Sequence, residues 1–286
     1  MRIRKLLMGL ETVLGLRRRG FFIPYRYAHT MPGAGEISPY PAALAALEAR
    51  RAAFGNVIDL IDKYADDLEA IGVGGGGGGG QSAPQPKWTQ DWFPRLDAAA
   101  AYALVRETKP RRIVETGSGH STRFLARAVA DEGCATAITA IDPAPRAVID
   151  NLGIEIMRKT LAQAGDAPYA ALESGDILFI DSSHILMPGS DVDDLVNRIL
   201  PALPKGVLVH IHDMFLPDDY PPSWFWRGYN EQSAVLPMIS SGGYEVVFAS
   251  HYVARTMQDS LAATVLSRLP IPEGAHETSL WLRKIK

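Results

Sequence analysis

The chain has 286 residues, a formal net charge of −3, and 47% hydrophobic and 21% charged residues. Its length buries a sizeable core without staples, and its one cysteine, Cys134, excludes an intrachain disulfide and points to a reducing compartment. The near-neutral charge argues against a dedicated nucleic-acid binder, whose domain is usually strongly basic, and no apolar run reaches the ~18 residues that span a bilayer.

In chain order, residues 1–20 hold six Lys/Arg and one acid, with Ile3, Leu6, Leu7, Leu10, Val13 and Leu14 at helical spacing. Two readings of this basic amphipathic helix stay open. Either it rests on an anionic membrane, or it packs its apolar stripe on its own domain. Glu11 interrupts what would be a signal-peptide core. The expected location is therefore cytoplasmic, with residues 1–20 as a point of peripheral contact at the inner membrane face. Residues 21–41 read as an irregular aromatic segment and 42–71 as helical. Seven of the 26 glycines form one run, Gly74–Gly80, followed by Gln81-Ser-Ala-Pro-Gln-Pro86. No strand feeds the run and no Gly-Lys-Ser/Thr closes it, so it reads as a linker rather than a phosphate loop. The expected organisation is a helical extension over 1–73, a linker over 74–86 and a catalytic domain over 87–286.

From Lys87 onward β-type runs alternate with helical ones. Helices are expected over 97–107, 121–130, 192–200 and 232–239. Strands are expected over 113–114, 137–141, 154–157, 176–180, 206–211, 244–249 and 279–282. The alternation predicts an α/β fold, a mostly parallel sheet covered by helices on both faces. In such sheets ligands bind outside the carboxyl ends of the strands.

The sharpest segment is Glu115-Thr-Gly-Ser-Gly-His-Ser121, a strand end leading through Gly-x-Gly into a helix start. Gly117 and Gly119 permit a tight turn and close backbone approach to a ligand, and Ser121 or Thr122 can cap the helix. A second acid, Asp142, ends the next strand, where a carboxylate accepts ribose hydroxyl protons. A dinucleotide site usually has a third glycine, and here Thr122 stands in its place. Glu115 also sets negative charge where a pyrophosphate would lie. The pattern favours S-adenosylmethionine (SAM), whose sulfonium is cationic, over NAD(P). An oxidoreductase remains the alternative in the same fold class, and a non-catalytic cofactor-binding or membrane-associated domain the alternative outside it.

Together with Ile141-Asp142-Pro, Asp176-Ile-Leu-Phe-Ile-Asp-Ser-Ser-His184 and Gly206-Val-Leu-Val-His-Ile-His-Asp213, this segment resembles the class I SAM-dependent methyltransferases. The resemblance is to a bacterial small-molecule branch, similar to macrocin-type O-methyltransferases and cephalosporin-biosynthesis methyltransferase-like proteins, and covers about residues 88–286. It implies a Rossmann-like, seven-stranded sheet whose last strand is antiparallel. It also implies Glu115 near the methionine end of the cofactor, the Gly117–Gly119 turn beneath it and Asp142 on its ribose. Ser118, Ser121 and Asp181 complete the expected cofactor set.

Asp181-Ser-Ser-His184 ends one expected strand and His210-Ile-His212-Asp213 the next, so their polar groups can converge. Three readings stay open. Asp181, His212 and Asp213, with His184, hold a divalent metal: oxygen ligands suit magnesium, whereas imidazoles shift the choice toward manganese, iron or zinc. Alternatively His184 or His212 is a general base oriented by Asp181 or Asp213. In the third reading the histidines are structural. Residues 214–232 form a Pro-rich aromatic segment of the kind that covers a bound molecule. Trp224, Trp226, Tyr229 and Asn230 are its candidate substrate contacts, with Trp88, Trp92 and Phe93 as an opposite wall. Such a lid fits a bounded small-molecule acceptor with a hydroxyl, of sugar or natural-product type. Glu231 reads as a surface partner of Arg227.

Overall fold

The structure is a computed structural model and describes residues 2–33, 35–72 and 84–286. The glycine run expected as a linker lies outside these residues. The chain divides into two compact units, Met1–Ile37 and Ser38–Lys286. The first contains helix α1 (Arg2–Val13) and a short 3-10 turn at Ala28–Thr30.

In the second unit, the described residues form one seven-stranded sheet: β1 (Arg112–Thr116), β2 (Ala137–Ile141), β3 (Glu155–Met157), β4 (Ile177–Ile180), β5 (Leu208–Ile211), β6 (Tyr244–Ala249) and β7 (Leu280–Lys284). Their order is β3-β2-β1-β4-β5-β7-β6, with β7 antiparallel to both β5 and β6 and the other pairs parallel. β4 and β5 are apolar at nearly every position and buried throughout, as strands covered on both faces must be. All seven expected strands are present. The order reverses between β1 and β4, which makes their carboxyl ends the switch point where such sheets bind ligands.

The expected boundary near residue 73 is not where the chain divides. Helices α2 (Pro41–Glu48), α3 (Arg51–Lys63) and α4 (Ala65–Ala70) contribute to the core of the second unit. The apolar face of α3 is the reason: Phe54, Val57, Ile58 and Ile61 are buried, and Phe54 meets Phe248 of β6 and Tyr252 edge-on at 6.0 and 5.7 Å. Truncating a buried phenylalanine of this kind costs about 3–5 kcal/mol. Arg50 pins the same helix pair to β6 through Glu245 at 2.6 Å and the Val246 carbonyl at 2.9 Å.

Helix α5 (Arg95–Thr108) is buried along most of its length by its alanines, and α6 (His120–Glu132) follows the glycine turn. The expected helix over 192–200 begins at Asp191 and is π-helical over Leu195–Ile199.

Candidate active site

The cofactor turn is built around Gly117. Its φ is +79°, and a Cβ placed there would lie 1.8 Å from the Asp181 carbonyl oxygen, so only glycine lets β1 and β4 end side by side. The Asp181 N–H in turn donates to the Thr116 carbonyl at 2.8 Å. A cavity of about 490 Å³ opens at these ends, lined among others by Gly117, Asp142, Arg146, Lys159, Asp181, Asp191 and Asp194. Its carboxylates outnumber its cations, which suits a ligand with sulfonium and ammonium charges better than a pyrophosphate. The Asp142 carboxylate accepts N–H groups from Ser118 (2.7 Å) and Ala144 (2.7 Å), which fix its position on the cavity wall.

Glu115 is not on that wall. It is fully buried behind the turn, accepting the Ser121 and Thr122 hydroxyls at 2.6 Å each, while Thr122 Oγ1 accepts the Gly119 N–H at 2.8 Å. Burial pushes its pKa up to about 8, against the pull of the two hydroxyls. Glu115, Ser118, Gly119 and Ser121 thus shape the turn and helix start, whereas Gly117, Asp142 and Asp181 line the cavity.

A second cavity of about 120 Å³ adjoins the first, with Asp181 and Arg146 on the walls of both. His184, His212 and Asp213 line it, together with Trp92, Trp224, Arg227, Tyr229 and His276. The neighbouring strand ends therefore bring the four expected catalytic residues together. Among the described residues four non-glycines have positive φ, and two of them, His184 (+59°) and Asp213 (+57°), face each other here, the kind of backbone strain that clusters at functional sites.

His184 is the centre of the cluster. Its Nε2 lies 3.2 Å from Asp181 Oδ1 and 3.3 Å from Asp213 Oδ2, and its Nδ1 lies 2.9 Å from Glu231 Oε2. Burial alone would lower its pKa, but the bond to Asp181, the charge of Asp213 and Glu231 together hold it well above the ordinary value. His212 Nδ1 faces Asp213 at 3.4 Å and Asp181 at 3.7 Å, and Nε2 faces Asp97 at 3.4 Å. Burial again works against the charge, and Asp213, Asp181 and Asp97 overcome it, raising His212 well above the ordinary value. For Asp181, burial is outweighed by the two imidazoles, which hold its carboxyl well below the usual range. His210 differs: enclosed by Phe93, Phe179 and Trp281 and bonded to Ser279 Oγ at 2.8 Å, it is kept neutral by burial and by His212.

This arrangement does not fit a metal. Among the described residues no three His, Cys, Asp or Glu side chains are grouped to hold one. The space between Asp181 and Asp213 is filled by the His184 ring, whose Nε2 faces both carboxylates.

Two carboxylates of the cluster were not legible as such. Glu231, expected as a surface partner of Arg227, is 2% exposed and bonded to His184. Asp97 is fully buried in α5 and accepts the N–H groups of Thr278 (2.9 Å) and Ser279 (2.8 Å) while facing His212. The one sequence signal for Asp97 is an acid set among alanines and a leucine.

The aromatic segment after Asp213 is partly anchor and partly wall. Trp224 packs edge-on against Phe215, Tyr229 and His276, and Trp224 and Tyr229 line the second cavity. Trp92 lines it too, with the Arg146 guanidinium 4.3 Å above its ring. Trp226 is 46% exposed and does not line it. Asn230 instead clamps the backbone of Leu186, accepting its N–H at 2.7 Å and donating to its carbonyl at 3.2 Å. Trp88 and Phe93 are core residues, both packed on Phe124.

Residues 114–214 match a family model described as a methyltransferase domain. No curated protein sequence matches the chain. Among solved structures the chain is similar to CmcI in its apo form (15% identity, 68% of this chain and 72% of that one, TM-score 0.40). It is also similar to the plantazolicin methyltransferase BpumL in complex with a triazolic desmethylPZN analog and SAH (14%, 65% and 85%, TM-score 0.40). A third is an SAH-bound methyltransferase of Podospora anserina (14%, 88% and 100%, TM-score 0.40). The matched segment, about a third of the chain, runs from β1 to just past β5, through the turn and both strand ends described above, and it marks this part of the chain as a methyltransferase domain.

Proposed function

We propose that the protein transfers the methyl group of SAM to a hydroxyl of a small-molecule acceptor. The observation that supports this reading is the pair of adjoining cavities with Asp181 and Arg146 on both walls, which gives room for an acceptor beside a cofactor at the strand ends. The second cavity is smaller than the ~300–1,000 Å³ of whole-ligand pockets, so it takes the reacting end of the acceptor.

SAM supplies an already activated methyl group. The protein has to align the acceptor oxygen with it and remove one proton. The acceptor oxygen attacks the methyl carbon, the carbon–sulfur bond breaks and leaves a neutral thioether, and the hydroxyl proton passes to a carboxylate. The surrounding carboxylates favour the protonated forms of His184 and His212, so we assign the acceptor role to Asp213, which lines the second cavity but not the first. The two imidazoliums orient Asp213 and Asp181, and Glu231 and Asp97 hold the imidazoles from behind. This replaces the expectation of a histidine base and needs no metal.

The test is SAH formation from SAM with a panel of phenol, sugar and alcohol acceptors, run with wild type, His212→Ala and Asp213→Ala. Both variants lose turnover while binding SAH normally. Normal turnover in both removes the site, and thermal stabilisation by NAD with none by SAH removes the cofactor reading.

A further inference from the structure

We propose that the first unit is an anchor that lays α1 flat in the surface of an anionic phospholipid bilayer. In α1, at 100° per residue, Ile3, Leu6, Leu7, Leu10 and Val13 fall within an arc of about 120°, and Leu14 in the turn that follows continues it. All six are exposed, from 47% at Leu10 to 76% at Ile3. The segment after the helix continues the apolar surface with exposed Leu16, Phe21, Phe22 and Ile23. Among the described residues of 2–37 no side chain is buried, so this unit has no core that would account for its apolar residues. Exposed apolar surface of this extent on a soluble protein marks an interaction site.

Charge selects the occupant. Residues 1–20 carry a net +5 within a chain of −3, so the remainder is acidic and the excess of positive charge is concentrated in this segment. The one acid of this segment, Glu11, is paired with Arg19 at 2.9 Å. The backbone folds back there, with the Arg17 N–H on the Glu11 carbonyl and the Arg19 N–H on Thr12 Oγ1, which gathers Arg17, Arg18 and Arg19 at the end of the helix. The Arg18 guanidinium sits 4.9 Å from the centre of the Phe21 ring, a basic group beside an apolar one, as a headgroup boundary requires. Twelve residues of helix span about 18 Å, short of the ~30 Å hydrocarbon core, and among the described residues no helix is long and apolar enough to cross a membrane. The helix therefore lies in the interface.

The experiment is flotation of the full chain with vesicles of phosphatidylcholine alone or with 30% phosphatidylglycerol, at low and high salt. The chain floats with the anionic vesicles, and high salt weakens the binding. Leu7→Glu/Leu10→Glu abolishes it, and neutralising Arg17, Arg18 and Arg19 to Gln weakens it about a hundredfold, at about fivefold per charge. SAH-induced thermal stabilisation of each variant verifies that the catalytic unit is folded. Absence of flotation with anionic vesicles, or equal flotation of Leu7→Glu/Leu10→Glu, overturns the proposal. So does a wild-type dimer in sedimentation that the same double variant dissolves without any vesicle binding, since the apolar face then belongs to a second copy of the chain.

Discussion

Gly117→Ala tests the geometry on which the cofactor cavity rests. Two costs add at this position. A non-glycine residue in the left-handed region costs about 1–2 kcal/mol, and the new Cβ would stand 1.8 Å from a backbone oxygen that no rotamer can move, an overpacking cost of about 1–3 kcal/mol. Gly133 is the control: its φ is +66°, and nothing lies within 4 Å of a Cβ there, so only the first cost applies. At about 2–4 °C per kcal/mol for a domain of this size, Gly117→Ala lowers Tm by roughly 4–20 °C and Gly133→Ala by roughly 2–8 °C. The clash also pushes Asp181 away from Thr116 and deforms the wall shared by both cavities, so the Kd for SAH rises at least about tenfold in Gly117→Ala and is unchanged in Gly133→Ala. Thermal melts and isothermal titration with SAH measure both. Equal Tm and equal SAH affinity in the two variants would refute the close approach of β1 and β4 and the placement of the cofactor on it.

Glu231→Gln keeps a hydrogen-bonding group beside His184 but removes the charge. The His184 imidazole then titrates at lower pH by NMR, and turnover falls about 10–100-fold for the loss of a charge-assisted bond, with SAH binding unaltered because Glu231 lines neither cavity; an unmoved titration refutes the role. Glu115, with its pKa near 8 when buried, binds a proton that the unfolded chain releases above its ordinary 4.5. Wild-type stability therefore falls as pH rises from about 5 to 8, by a few kcal/mol at most, and Glu115→Gln gains on wild type over that window in urea unfolding; a constant difference between them refutes the burial of a neutral Glu115. EDTA leaves turnover unchanged, and a rate restored by magnesium or manganese would refute the closed Asp181–His184–Asp213 cluster.

The strands and their polar ends were legible because each is a short apolar run with an abrupt polar stop, a local pattern. The meeting of Asp181, His184, His212 and Asp213 followed from parallel pairing of neighbouring strands. Glu231 and Asp97 were not legible because their partners lie across the chain, 47 positions away for His184 and 181 for Thr278. Glu115 misled for a related reason: an acid at a strand end faces the ligand or the helix behind it according to which hydroxyls reach it, and Ser121 and Thr122 do. The boundary near the glycine run failed because composition marks where a chain is irregular, whereas domain membership is set by where apolar faces such as that of α3 are buried.

The insertion of β7 between β5 and β6 makes one half of the site close over longer stretches of chain than the other. The cofactor half closes over short distances, Ser118 meeting Asp142 across 24 positions. The acceptor half waits for the residues beside β7, since Asp97 reaches Thr278 across 181. Lengthening a closing loop by nearly three doublings adds about 2 kcal/mol of chain entropy. The closure beside β7 thus costs the chain more entropy, and the Asp97–Thr278 end of the site is expected to open before the Ser118–Asp142 end, with faster amide exchange at Thr278 than at Ser118 as the measurement that checks it.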